Sequence, residues 1–260
     1  MTIESSLLLI CVGLVGGAWN ALAGGATLFT FPALMAVGLP PIQANATNYV
    51  AMLPSNAAAI PAYSWELKAI GWSQVWPLLA VSGVGSVVGS LLLLVSIQAL
   101  FEVLIPFLIL LATLLFAFGT NISAWVSNFD SSKTSSGALY FALFFFSIYG
   151  GYFGAGLGII LLAIVQIMGF TSFHMANSLK NLLATSFTML SIVVFGVGGI
   201  IAWPEALTMM TGSALGGYFG ARYGRLVNEY YLRKGIIAFG LILSGYYFYK
   251  STLLMSGAEH

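Results

Sequence analysis

The sequence predicts an all-α polytopic membrane protein made of two homologous repeats, and three observations carry that reading. Charged residues make up 6% of the 260-residue chain and hydrophobic residues 60%, where soluble domains carry about 25% charge. No Asp, Glu, Lys or Arg falls between Glu4 and Glu66, far more than the roughly 20 residues that span a bilayer as a helix. Glycine, asparagine and tryptophan positions also recur in the same order at a near-constant interval. A formal charge of +1 says nothing for nucleic acid, which needs a clustered basic face, so no nucleic-acid partner is expected. The single cysteine, Cys11, lies in an apolar run, so neither an intramolecular disulfide nor a thiolate metal cluster is expected.

Hydropathy divides the chain into segments. An apolar stretch runs from about Ser6 to Val37 and is interrupted at Ala23-Gly24-Gly25. Glu4 stands where a secretory signal carries positive charge, so this stretch reads as structural. A polar-flecked segment with Pro54 and Pro61 follows, from about Gln43 to Trp65. Two plain spans come next, Ser73 to Val95 and Ala99 to Gly119, and then a polar loop from Asn121 to Ser136. The order recurs: a broken stretch from Gly137 to Met168, a segment from Phe173 to Ile201, and spans from Trp203 to Arg222 and Leu232 to Leu253.

At an offset of 131, Gly25 falls on Gly156, Gly38 on Gly169, Trp72 on Trp203, Ser82 on Ser213, Gly85 on Gly216 and Gly89 on Gly220. One extra loop residue carries Ala44-Asn45 onto Ala176-Asn177. The expected units are a first repeat over 1–121, a connecting loop over 122–135 and a second repeat over 136–260. Each is a broken or re-entrant helical stretch plus three transmembrane helices. Transporter folds are commonly duplicated in this way, with the substrate site where the repeats meet.

If each broken stretch crosses once, the repeats are parallel; if it folds back as a re-entrant hairpin, they are inverted. The cluster Arg222, Arg225, Arg233, Lys234 belongs in the cytoplasm, yet its counterpart Val95 to Ala99 carries no charge. Inversion explains the asymmetry and also brings Lys68 and Lys133 inside, so the inverted arrangement is the expectation. Both termini are then outside, and the chain is assigned to the cell's inner (plasma) membrane.

Gly212, Gly216, Gly220 and Gly224 recur every four residues, and Ser82, Ser86 and Ser90 with Gly85 and Gly89 answer them in the first half. Small residues on one helix face let two backbones approach closely, so these read as packing surfaces. Trp72, Trp76, Trp203 and the run Tyr246 to Lys250 read as interfacial belts.

Chemistry is expected where polar residues meet broken backbone. In the first half these are Gly24, Gly25, Asn45, Thr47 and Asn48; in the second they are Gly156, Gly158, Asn177, Ser178, Lys180 and Asn181. A helix broken at membrane depth leaves backbone groups that only protein or a watery cavity can satisfy. Freed N–H groups at a helix start attract anions. Each residue alone also fits a packing or capping role; the duplicated set points to a polar cavity that binds a solute. Lys180 lies about seven residues into its segment, where a charge costs roughly 2.5–3.5 kcal/mol to insert, and it has no acidic neighbour in sequence. Glu102 and Arg233 read as interfacial, and His174 as a loop or capping residue.

The stretch from Gly24 to Leu34, GGATLFTFPAL, followed by Ala44-Asn45-Ala46-Thr47-Asn48, resembles the first repeat of the TauE/SafE sulfite exporter (toluene sulfonate uptake permease) family. Ala176-Asn177-Ser178-Leu179-Lys180-Asn181, Ala202 to Ala206 and Gly212 to Ala221 resemble its second. Ala26-Thr27 departs from the family, which often has a third glycine and a large apolar residue there. The resemblance covers nearly the whole chain and implies transport, often export, of sulfite, sulfonates or related sulfur oxyanions.

The reading is therefore a secondary transporter of a small sulfur-containing anion, with a proton or other ion as possible coupling partner, no cofactor and no resident metal. A channel-like anion uniporter and a non-transporting membrane partner subunit are the alternatives. An intramembrane protease would need a Gly-x-Ser-Gly nucleophile and a histidine on another helix, and a metal enzyme a His and carboxylate cluster. The sequence has His174 and His260 as its histidines and neither pattern, so no enzyme is expected. The exact solute, the coupling ion and the oligomeric state are not written in the sequence.

Overall fold

The computed structural model describes residues 1–22, 25–57, 64–127, 135–170, 172–223 and 229–256. Every regular element among them is an α-helix: α1 (Ile3–Leu22), α2 (Thr27–Ala36), α3 (Pro41–Ala57), α4 (Ser64–Ile70), α5 (Trp72–Leu94), α6 (Gln98–Ser127), α7 (Ser136–Tyr152), α8 (Leu157–Ile167), α9 (Phe173–Val197), α10 (Trp203–Tyr223) and α11 (Glu229–Ser256). Four of them, in α1, α5, α6 and α9, are long and apolar enough to cross a membrane.

The distribution of polarity is that of a protein solvated by lipid. Ser82, Ser86, Ser90, Thr113, Ser191 and Ser213 are fully buried, while Phe141, Phe145, Val193 and Ile242 point outward. Apolar side chains exposed in such numbers require a lipid surround. Several of these buried hydroxyls answer carbonyls, as when Ser90 bonds Ser86 O at 2.8 Å and Ser244 bonds Pro106 O at 3.1 Å.

The contacts fix helix directions. Gly212, Gly216 and Gly220 of α10 lie against the backbone of Ile10, Leu14 and Ala18 of α1, so these two helices run parallel. Gly85 and Gly89 of α5 lie in the same way against Phe144 and Ile148 of α7. Asn20 of α1 donates to Ser55 Oγ and Asn56 Oδ1 of α3 at 2.9 and 2.6 Å, and Gly16 faces Met52, so α1 and α3 also run parallel. Ser213 donates to Ala51 O, and Gly217 faces Ser55, which adds α10 to this group. Gly83 against Leu190, Ser90 bonded to Ser191, and Gly198 against Leu94 align α5 with α9.

Two parallel helices joined through one short helix require that helix to run back. The ten residues of α2 cover about 15 Å, half of a roughly 30 Å hydrocarbon core. The fold-back is visible in Trp19 packing edge-on to Phe29, with ring centroids 6.0 Å apart. The eleven residues of α8 return in the same way after α7. Both short helices end alike. Gly38 and Gly169 take φ of 102° and 104°, and the residue after each bonds back five positions, Leu39 to Leu34 O and Phe170 to Val165 O, both at 3.3 Å. Glycine fits these left-handed closures because it has no Cβ.

The structure differs from the sequence reading in two places. The polar connection begins later, because α6 continues through Ser127; Ile122 and Val126 lie on the inner side of that extra length, lining an apolar cavity with Leu115. The Gln43 to Trp65 segment is described as two helices, α3 through Ala57 and α4 from Ser64, and Pro61 lies outside the described residues. Its counterpart α9 is one unbroken helix of 25 residues.

Candidate functional site

The two fold-backs meet half-way along α6. Gly25, with φ of 82°, sits at the turn into α2 against the ring of Phe116. Gly156, with φ of 76°, precedes α8 and faces Ala112 and Leu115 one turn away. A Cβ at Gly25 would enter the Phe116 ring, and one at Gly156 would press on Ala112 Cα at 3.3 Å in a left-handed backbone that side chains rarely adopt. Neither α2 nor α8 has a side-chain cap at its start. The rings of Phe31 and Phe153 close the junction, 5.5 Å apart.

Helix α3 ties the two turns together. Asn45 is fully buried and donates through Nδ2 to Tyr152 O, the last residue of α7, at 2.8 Å. One turn on, Asn48 is 2% exposed and donates to Thr27 Oγ1, the first residue of α2, at 3.3 Å. Tyr49 donates to Gly150 O, and Tyr149 to Ala155 O at 2.7 Å. These anchors hold the break after α7 in one geometry.

On the other side of the junction, Lys180 of α9 runs past the start of α8. A Cβ at Gly158 would lie 3.8 Å from its Cδ. Lys180 has no hydrogen bond or ion pair with any described residue. An ammonium beside an uncapped helix start presents positive charge together with backbone N–H donors, the arrangement that holds an anion.

The remaining sequence-derived candidates divide. Gly25, Asn45, Asn48, Gly156, Gly158 and Lys180 gather at the fold-back turns. Thr47 turns instead to the α9–α10 connection, where Oγ1 accepts the Ala202 N–H at 3.0 Å. Ser178 bonds Met175 O within its own helix at 2.7 Å. Asn177 and Asn181 are half-buried on α9, and Gly24 lies outside the described residues. Sequence reasoning missed Tyr49, Tyr149 and Phe116, which nothing distinguished from the chain's other aromatics. Glu102 is exposed and accepts from Gln98 at 3.1 Å, in keeping with an interfacial position.

One cavity borders the junction and another lies at the far end of α7 from it. The far one, of about 310 Å³, opens between the starts of α5 and α7 and the α8–α9 turn, with Ser73, Gln74, Ser136 and Tyr140 in its wall. The near one, about 530 Å³ and wholly apolar, lies between α6, α7 and α8.

Known proteins share this chain's pattern over nearly its full length. The profile of the family described as Sulfite exporter TauE/SafE matches residues 9–247. A protein named "Probable membrane transporter protein" from Haemophilus influenzae is 31% identical over 246 residues, covering 93% of this chain and 94% of that one. "Probable membrane transporter protein YfcA" of Escherichia coli K12 is 28% identical over 247 residues, covering 94% and 89%. "Probable membrane transporter protein ORF9" of a Sinorhizobium species is 27% identical over 224 residues, covering 83% and 81%. No solved structure matches. On the match over residues 9–247, with a helical membrane architecture to support it, the chain belongs to the sulfite exporter TauE/SafE family of membrane transporters.

Proposed function

We propose that this transporter is a secondary carrier, working as an exporter, for a small sulfur-containing anion such as sulfite or an organosulfonate. The observation that carries the reading is Lys180, a cation without a partner among the described residues, beside the uncapped start of α8. The two turns meet half-way along the 30-residue α6, which is the middle of a bilayer if α6 spans it. At 4 Å and an effective dielectric near 20, a unit charge pair is worth about 4 kcal/mol before desolvation. Half of that surviving changes affinity more than about tenfold. Binding of sulfite, sulfate, taurine and sulfoacetate to purified wild type and Lys180→Met tests the reading. The variant should lose anion affinity while remaining folded, and equal affinities would reduce Lys180 to a packing residue. Saturable counterflow in liposomes separates a carrier from a channel-like uniporter.

The halves are proposed to be inverted repeats in the inner membrane, with both termini outside. Under the sequence register, α1, α2, α3, α5 and α6 answer to α7, α8, α9, α10 and α11. The packing pairs exchange accordingly: α1 on α10 against α7 on α5, and α3 on α10 against α9 on α5. Thr47 bonded to Ala202 and Tyr49 packed on Phe195 run α3 antiparallel to α9, which with the parallel groups above sets α1 against α7 and α5 against α10; Gly240 on Thr113 with Phe248 on Phe107 make α11 antiparallel to α6. Parallel repeats would need the opposite. A cysteine at Ser132 in a Cys11→Ser background should escape an impermeant thiol reagent applied to intact cells; ready labelling would reverse the orientation.

A further inference from the structure

The two buried asparagines of α3 are turned the wrong way to donate to an anion. Each has committed its N–H to a neighbour, Asn45 to Tyr152 O and Asn48 to Thr27 Oγ1. The orientation of Asn45 is forced, because a peptide carbonyl can only accept. What remains of both side chains is a buried amide oxygen that accepts from nothing among the described residues. Residues three apart share one helix face, so both oxygens leave α3 on one side within a single turn. Their partner must be a hydrogen-bond donor or a cation.

At Asn45 the surroundings favour a cation, although Asn48 meets the amino end of α2, where the pole is positive. Asn45 reaches the last residue of α7, and the carboxyl end of a helix carries the negative pole of its dipole. The tyrosine hydroxyls nearby already donate to the carbonyls of Gly150 and Ala155. The register adds a second, independent pointer. With the loop residue that aligns Asn45 with Asn177, Asn48 aligns with Lys180. The second half therefore carries a covalent ammonium where the first half presents a bare oxygen.

We infer that Asn45, Asn48 and the carboxyl end of α7 form a site for a small monovalent cation of the Na⁺ type, held next to the junction where Lys180 stands. A neutral amide has no titratable proton, so its cargo is coordinated through oxygen, which sets Na⁺ apart from H⁺. The coupling role of this ion rests on the carrier reading above; its binding does not.

The test therefore uses protein without any anionic solute beyond chloride. Purified wild type in lipid nanodiscs is titrated with NaCl against choline chloride at constant ionic strength, and thermal stability is read. Na⁺ should stabilise saturably and choline should not. Asn48→Leu should abolish the difference, and Asn48→Asp should tighten Na⁺ at least about tenfold, since the Thr27 hydroxyl can turn to donate to the new carboxylate. Identical NaCl and choline curves in wild type would overturn the site and leave an ordered water on the two oxygens. So would an unchanged Na⁺ midpoint in Asn48→Asp, which decides alone if Asn48→Leu does not fold. A failure here leaves the Lys180 measurement standing, and the reverse also holds.

Discussion

The first fold-back, α1 to α2 with α3, and the second, α7 to α8 with α9, share a backbone plan and differ in charge. Both turn on a glycine with φ near 80°, Gly25 at 82° and Gly156 at 76°, and both close at a glycine near 103°, Gly38 and Gly169. Yet one presents amide oxygens and the other a lysine. The lesson is that backbone geometry and ligand chemistry are set by different residues. Glycines and small side chains fix where helices break and touch; the charge set on that frame is a separate choice, amide at Asn48 and ammonium at Lys180.

The comparison breaks most visibly if the charge is moved. Lys180→Met should cost more than about tenfold in anion affinity, and Lys180→Arg should retain part of it because the charge remains in a different shape. Asn48→Lys should make the protein's stability indifferent to Na⁺, because the new ammonium would occupy the place of the bound ion. Persistence of a Na⁺-specific shift in that variant would show that the halves are not equivalent at this register.

A smaller effect tests whether the matching glycine faces are equivalent. Gly216→Leu drives a side chain into the α1 backbone at Leu14, and Gly89→Leu does the same to α7 at Ile148. Overpacking of this kind costs about 1–3 kcal/mol, occasionally more, so both should lower the melting temperature in detergent by similar amounts. Gly245→Leu, with nothing within 4 Å of its Cβ position, is the control and should be silent. The smallest effect is Gly38→Ala against Gly169→Ala. Both sites are open in space but left-handed in φ, so each should lose about 1–2 kcal/mol for backbone conformation alone. Unequal losses would mean that the two closures bear different loads.

Much of the architecture was legible because its causes are local. Charge-free runs announce lipid, Gly25 and Gly156 announce the breaks, and the four-residue glycine spacing of α10 announces a touching backbone. The extra length of α6 was not, because Asn121, Ser123 and Ser127 read as loop while the burial of Val126 that keeps them helical is a tertiary fact. The candidate site was legible in its members and not in their orientation. Asn45 and Lys180 stood out, but that Asn45 would commit its N–H to Tyr152, 107 positions away, depends on how α7 packs. The same holds for Thr47, whose hydroxyl serves the Ala202 N–H.

The crossed packing of α1 on α10 and α7 on α5 has a consequence for how the protein is made. Gly89 meets Ile148, about 60 residues later, so the α5–α7 contact can close while the chain is still emerging. Ile10 meets Gly212, about 200 residues later. At roughly 5–20 residues per second of synthesis, α1 waits about 10–40 s in the bilayer for its partner. Until then the Gly13 and Gly17 face of α1, shaped to touch bare backbone, has only lipid or the insertion machinery to cover it. The first helix of this molecule therefore gains its main partner only when α10 arrives.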